Sequence, residues 1–118
     1  MTTPFTTTYS RGDIVLVPFQ FSDRPVFKRR PALIVSSHVY HAGRQEIIIA
    51  AITSRVRRPL LVDDYLVERW QEGGLPKPSV VTAILRTVKG TMITRRLGSL
   101  AEADLRAVDS RLKEALGL

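Results

Sequence analysis

The chain has 118 residues, with 18 Lys and Arg, 11 Asp and Glu, two His and no Cys. Its length, with 44% hydrophobic and 25% charged residues, predicts one globular domain rather than a disordered chain. The lack of Cys excludes a disulfide framework, a zinc–thiolate or iron–sulfur centre and a catalytic thiol. Since there is no signal peptide and no apolar run of about 18–20 residues, we expect a cytoplasmic protein with no membrane partner.

The positive charge is concentrated in the first half of the chain. Residues 1–60 hold nine Lys and Arg against three Asp and Glu, whereas residues 61–118 hold nine against eight. The excess falls in two clusters, Arg24-Lys28-Arg29-Arg30 and Arg55-Arg57-Arg58. Such a field attracts polyanions and indicates nucleic-acid binding. The alternatives are a solvated basic face and a docking surface for an acidic protein.

The first half predicts three strands behind a short lead-in. Residues 1–11 are rich in Thr and predict a disordered or extended lead-in, with the folded domain spanning residues 12–118. Apolar runs rich in β-branched residues predict strands. These strands are Ile14–Phe19, Ala32–Ser36 and Glu46–Thr53, with Pro18 at an edge or bulge. Polar segments predict loops at Phe21–Arg29 and His38–Gln45.

The second half predicts further short strands and one C-terminal helix. The predicted elements are a short strand at Leu60–Tyr65, one or two helical turns at Leu66–Glu72, and strands at Val80–Leu85 and Thr87–Ile93, with a turn near Gly90. Ser99 and Glu102 have the spacing of a capping box at a helix start. Helical spacing and a terminating glycine complete the pattern, at Leu105, Val108, Leu112, Leu116 and Gly117. This order predicts a mainly β fold, a small barrel with the C-terminal helix packed on it.

Few residue patterns indicate chemistry. The chain lacks a glycine-rich phosphate loop, a metal-type His/carboxylate helix and a nucleophile elbow. His38 and His41 are either a ligand or acid–base pair or, as is commoner in loops, solvent-facing. Asp63 and Asp64 are either a cation site or, as is usual for adjacent carboxylates without a third ligand, solvated.

Arg30 and Thr53 are the strongest candidates. Arg30 precedes the second predicted strand, and Thr53 ends the third. If these strands are antiparallel neighbours, the two residues meet at one rim of the barrel. A guanidinium keeps its charge and offers a planar fork of donors to phosphate oxygens, and a nearby hydroxyl donates to the same phosphate. The alternative is a packed rim arginine beside a strand threonine.

The chain resembles MazF/PemK-type toxins of bacterial toxin–antitoxin systems. The resemblance covers Gly12 to Leu118 and depends on the order and spacing of five blocks. These blocks are Gly12–Val17 (GDIVLV), Arg30–Ser36 (RPALIVS), Ala51–Ser54 (AITS), Gly74–Val81 (GLPKPSVV) and Arg96–Leu100 (RLGSL).

The resemblance implies an SH3-like barrel, a homodimer and a toxin endoribonuclease that cuts single-stranded RNA or mRNA at short sequences. Such enzymes use neither metal nor cofactor and leave 2′,3′-cyclic phosphate and 5′-hydroxyl ends. The resemblance also implies a cognate antitoxin whose acidic segment occupies the RNA groove. Arg30 and Thr53 match the catalytic arginine and threonine, although neither identifies the general base. We expect RNA-binding side chains around the pair, at Phe19, Arg29, Ser54, Arg55 and Arg58.

The chain departs from the family pattern in two places. Some members carry a basic and an acidic catalytic residue just after the Val-Val pair, where this chain has Thr82, Ala83 and Ile84. Some carry a His in the first loop, and none lies between Phe19 and Arg29. These departures motivate a second hypothesis, a member that binds RNA or antitoxin without cleavage. A third is an inhibitor of another protein such as a topoisomerase.

Overall fold

The computed structural model describes residues 9–19 and 28–118 of the chain. Within these ranges the backbone forms six strands, two α-helices and one 3-10 turn. In chain order these are β1 (Asp13–Phe19), β2 (Lys28–Ile34), α1 (His38–His41), β3 (Glu46–Thr53), β4 (Tyr65–Leu66), β5 (Val80–Lys89), the 3-10 turn Gly90–Met92, β6 (Arg95–Ser99) and α2 (Glu102–Leu116). The mainly β fold with a C-terminal helix is confirmed.

The six strands form one curled antiparallel sheet in the order β4-β5-β3-β2-β1-β6. The strands β2 and β3 are antiparallel neighbours, as predicted, and Ala32 lies opposite Ala51. On the other side of β3, Thr53 lies opposite Val80 of β5. The sheet has the half-barrel shape of the predicted small barrel.

Each face of the sheet buries its own apolar cluster, because successive side chains of a strand point to opposite faces. On one face, Leu33 and Ile52 belong to the cluster that packs against Val108 and Leu112 of α2. On the other face, Ala32 belongs to a separate cluster with residues of β1 and β3. The helix thus covers only one of the two faces.

Several predicted elements hold and others are wrong. The strand Glu46–Thr53 is confirmed at both ends. The predicted loop at residues 38–45 instead begins with α1, and the two strands predicted over residues 80–93 are one strand followed by the 3-10 turn at Gly90. Residues 68–74 form turns rather than helix, the predicted strand at 60–65 is reduced to β4, and β6 was not predicted.

The predicted capping box is also wrong. Helix α2 begins at Glu102 with Ala101 as its N-cap, and no side chain caps it. The Ser99 hydroxyl instead donates to Oδ1 of buried Asp13, at 2.9 Å, and so holds β6 to the start of β1. Ser99 therefore forms a hydrogen bond with a residue distant in sequence instead of capping the helix, as its local pattern predicted. The predicted terminator is confirmed, since Gly117 has the left-handed conformation.

The start of the described chain is tied to α2 and β2. The Arg11 guanidinium pairs with Asp109 of α2, and its Nε donates to the Val35 carbonyl oxygen at 3.2 Å. Residues 1–8 of the predicted lead-in and residues 21–27 of the predicted first loop lie outside the described residues, so the division at residue 12 stays a prediction. In the described part of the chain, no helix is long and apolar enough to cross a membrane.

Candidate functional site

A cavity of about 770 Å³ lies at the ends of β2 and β3. The paired register of these strands ends at Ala32 and Ala51, so Arg30 and Thr53, two rows further on, lie where the two strands separate. Both side chains line the cavity. The structure therefore brings Arg30 and Thr53 to one cavity, and their catalytic roles stay a prediction.

A bulge in β5 shapes the neighbouring wall. Ala50 lies opposite Leu85 and Ile52 opposite Val81, so three residues of β5 face Ala51. These are Thr82, Ala83 and Ile84, and all three line the cavity. The Thr82 hydroxyl donates to the Ala51 carbonyl oxygen at 2.9 Å and accepts from the Ile84 amide at 3.2 Å. Bulges of this kind bend a strand and are frequent beside active sites.

The Thr53 hydroxyl is oriented by its own backbone. Its oxygen accepts a hydrogen bond from the Arg55 amide at 3.1 Å. A hydroxyl has one proton to donate as well as two acceptor positions. Because the amide occupies an acceptor position, the proton stays available to a phosphate oxygen in the cavity. Arg30, which is half-buried, supplies a fixed positive charge on the same wall.

Further cations line the cavity, and strand alternation explains which ones. Lys28 shares a face of β2 with Arg30 and lines the cavity, as do Arg55 and Arg57. Arg29 is exposed and does not line it, because its side chain leaves the strand on the opposite face. The strand was predicted to begin at residue 32, whereas β2 begins at Lys28, and its alternation favours Lys28 over Arg29 as a cavity residue.

The remaining predicted RNA-binding residues are not among those that line the cavity. Ser54 and Arg58 are exposed and lie outside its lining. The side chain of Phe19, and Arg24 of the first basic cluster, lie outside the described residues. The binding roles of these residues, and of Arg29, stay predictions.

Another wall of the cavity is a segment, residues 60–64, that was not predicted to belong to the site. Asp63 and Asp64 line the cavity together with apolar Leu60. The segment is held at two points. Arg111 of α2 donates to the Val62 carbonyl oxygen at 2.7 Å, and Oδ2 of Asp64 accepts from the Leu61 amide at 3.2 Å. The distribution of charge along the sequence could not predict this wall, because Asp63 and Asp64 lie outside the two basic clusters.

A buried carboxylate anchors the chain just after this wall. Asp104 of α2 is 2% exposed and accepts from the Tyr65 hydroxyl at 2.5 Å and from the amides of Glu68 and Arg69 at 3.1 and 3.0 Å. Burial, and then the hydrogen bond to Asp104, raises the pKa of Tyr65 well above its usual value. Tyr65 therefore keeps its proton and its bond to α2.

The two histidines are the first and last residues of α1, and neither lines the cavity. His38 is exposed, as expected, but His41 is 3% exposed, so the solvent-facing interpretation is wrong for it. The Ser36 hydroxyl accepts from the Ile48 amide and forms a second hydrogen bond, of 2.5 Å, with Nε2 of His41. Burial, and then the charge of His38, lowers the pKa of His41. The two hydrogen bonds of Ser36 thus connect His41 of α1 to Ile48 of β3.

The described residues contain no group of three or more His, Cys, Asp or Glu able to hold a metal ion. They do contain a cavity whose lining combines four cations and the oriented Thr53 hydroxyl with two carboxylates and apolar side chains. The cations can bind a phosphodiester and stabilise charge that develops on its oxygens.

Comparison with known proteins assigns the family. Residues 10–116 match the model of the PemK-like, MazF-like toxins of type II toxin–antitoxin systems. The chain is 35% identical over 94 residues to Endoribonuclease MazF6 of Mycobacterium tuberculosis, which covers 77% of this chain and 81% of that protein. The solved structure of Mycobacterium tuberculosis toxin MazF-mt6 superposes with a TM-score of 0.72 at 25% identity, over 90% of this chain and 97% of that one. An endoribonuclease in complex with its cognate antitoxin from Mycobacterial species shares the fold, with a TM-score of 0.74 at 17% identity, over 93% of this chain and 96% of that one. The chain therefore belongs to the PemK-like, MazF-like toxin family of type II toxin–antitoxin systems.

Proposed function

We propose that this protein is a toxin endoribonuclease that cleaves single-stranded RNA at short sequences in the cytoplasm and thereby inhibits translation and growth. The observation that carries the proposal is the placement of Arg30 and Thr53 in one cavity with Lys28, Arg55 and Arg57. The relative MazF6 is itself named an endoribonuclease, which favours an active enzyme over a member that only binds RNA.

The family resemblance implies the reaction, and the cations that line the cavity can serve it. The 2′-hydroxyl oxygen of one nucleotide attacks the adjacent phosphorus, while the bond from phosphorus to the 5′ oxygen of the next nucleotide breaks. The products are a 2′,3′-cyclic phosphate and a free 5′-hydroxyl, and the proton lost by the 2′-hydroxyl is balanced by the one gained by the leaving oxygen. Negative charge grows on the non-bridging oxygens during attack, and Arg30 stabilises it. Thr53 donates its hydroxyl proton to the same phosphate and positions it.

The same cavity suits an acidic protein segment. The four cations that line the cavity attract carboxylates as they attract phosphates. We propose that the acidic segment of a cognate antitoxin binds here and competes with RNA. A solved relative in complex with its cognate antitoxin supports this partner. A homodimer is proposed from the family resemblance.

Substitution of the two catalytic candidates tests the function. Arg30→Ala and Thr53→Val are each expected to slow cleavage of a long defined RNA in EDTA by about 10²–10³-fold. Arg95→Ala is the matched control, since it removes one exposed cation outside the cavity lining. Cyclic phosphate ends should appear with the wild-type protein.

Two results would contradict the proposal. Cleavage by Arg30→Ala at the wild-type rate would remove Arg30 from the mechanism. A folded wild-type protein that binds RNA in a salt-dependent manner, yet leaves a long transcript intact, would favour the binding-only alternative.

A further inference from the structure

The cavity contains a carboxylate that phosphate binding does not explain. Asp63 is half-buried in the cavity wall and makes no hydrogen bond or ion pair with any residue that the structure describes. A carboxylate repels phosphate, so it weakens a site that serves the RNA backbone alone. Its neighbour Asp64 has a structural task, since its carboxylate closes a turn with the Leu61 amide. Asp63 has no such task.

Sheet spacing separates the strand that follows Asp63 from the catalytic pair. Leu66 of β4 lies opposite Val80 of β5, and Val80 lies opposite Thr53. Two strand spacings therefore separate Leu66, three residues after Asp63, from Thr53, about 10 Å along the sheet. A general base must come within about 3 Å of the proton that it removes. The separation suits a group that contacts another part of the nucleotide whose phosphate lies at Arg30.

A carboxylate only accepts hydrogen bonds, so it selects among nucleobases. Guanine presents adjacent donors at N1 and N2, and cytosine and adenine each present an amino group. Uracil presents a single N3 donor between two carbonyl oxygens, which repel a carboxylate. Single-stranded RNA exposes these edges, and Asp and Glu are known to accept from amino groups of bases. Leu60 and Ile84, on the cavity wall, offer apolar surface to a base.

We propose that Asp63 reads the Watson–Crick edge of a base beside the scissile phosphate, selecting amino-bearing bases and rejecting uracil. This inference rests on the proposed endoribonuclease function. The wall is held in place for the task, because Arg111 binds the Val62 carbonyl oxygen and Asp64 closes the turn with Leu61. Because the chain is held on both sides of Asp63, its backbone loses little freedom when the side chain binds.

Asp63→Asn is the test, because asparagine has almost the same shape and a different hydrogen-bonding pattern. Its amide accepts from N3 of uracil and donates to O4, so the variant should tolerate the base that aspartate rejects. Cleavage of a randomised RNA pool by the wild type should show depletion of uracil at one position near the cut. The depletion should be about 5- to 150-fold and should disappear in Asp63→Asn. Glu72→Gln, which neutralises an exposed carboxylate outside the cavity lining, should keep the wild-type preference.

The outcomes separate the base-reading role from other roles. If Asp63→Asn keeps the wild-type depletion of uracil, the inference is overturned. An equal loss of cleavage rate at every sequence would also overturn it, because that result indicates a general base or a structural group. Binding of 2′-O-methyl oligonucleotides, which lack the attacking hydroxyl, measures the same preference without cleavage. Failure of the wild type to cleave thus contradicts the proposed function, whereas equal binding of uracil and amino-bearing bases contradicts the role of Asp63.

Discussion

Replacement of Asp104 should both destabilise the protein and loosen the acidic wall of the cavity. The carboxylate is 2% exposed and accepts from the Tyr65 hydroxyl and from the amides of Glu68 and Arg69. Asp104→Ala leaves these three donors without their acceptor. A buried donor that loses its partner costs about 1–3 kcal/mol.

The expected cost lies at the lower end of that range for each donor. Glu68 and Arg69 are exposed residues, so water can replace part of what their amides lose. The alanine variant also avoids burying a charge, which offsets some of the loss. We therefore expect Asp104→Ala to lower the free energy of unfolding by about 2–4 kcal/mol, a large part of the 5–15 kcal/mol usual for a domain.

Equilibrium unfolding in urea measures this change, with Tyr65→Phe as the partial variant. Tyr65→Phe removes one of the three donors and keeps both amide bonds, so it should cost about 1–2 kcal/mol. Hydrogen exchange should show faster opening of residues 61–69 in the alanine variant. If Asp104→Ala unfolds at the wild-type urea concentration, the carboxylate does not anchor the wall and the reasoning fails.

Three further predictions concern pH, packing and salt. The pKa of His41 is lowered below the 6.5 of an unfolded histidine, so the unfolded chain binds more protons at acidic pH. The stability contributed by neutral His41 should therefore be complete above about pH 6.5 and decline as the pH falls below it; urea unfolding at pH 5–8 checks this, and His41→Gln should flatten the dependence. Gly74→Ala should destabilise the fold by more than about 1 kcal/mol in the same assay, because Gly74 has φ +84° and a Cβ there overlaps the Leu97 carbonyl oxygen. Arg55→Ala should reduce the slope of log binding constant against log salt by about 0.7 for single-stranded RNA, measured by titration, and an unchanged slope would place Arg55 away from phosphate.

Elements fixed by burial were predictable from the sequence. Glu46–Thr53 is correct at both ends because its apolar run is buried in the centre of the sheet. Lys28 and Arg29 were assigned to a loop because their side chains are polar, although their backbone pairs with β1. Ser99 was assigned to a helix cap because its partner, Asp13, is distant in sequence. Local patterns fail where a distant residue provides the better hydrogen bond.

The candidate site was likewise predictable only in part, where it depends on strand pairing and not on distant side-chain contacts. The placement of Arg30 and Thr53 in one cavity was predictable, because antiparallel pairing of β2 and β3 brings the start of one strand beside the end of the other. The wall that carries Asp63 could not be found, because its position depends on the bond from Arg111 to the Val62 carbonyl oxygen, and these residues are 49 positions apart. The charge distribution predicted the basic cluster at Arg55 and Arg57, whereas the adjacent Asp63 and Asp64 were expected to be solvated.

The cavity exists because regular pairing is interrupted on both sides of the end of β3. The β2 register stops at Ala32, and the β5 bulge places three residues opposite Ala51. Each missing backbone hydrogen bond forgoes about 0.5–1.5 kcal/mol. The Thr82 hydroxyl supplies the Ala51 carbonyl oxygen with a donor. Residues 82–84 therefore shape the wall of the cavity, since the bulge that they form is closed by the hydrogen bonds of the Thr82 hydroxyl.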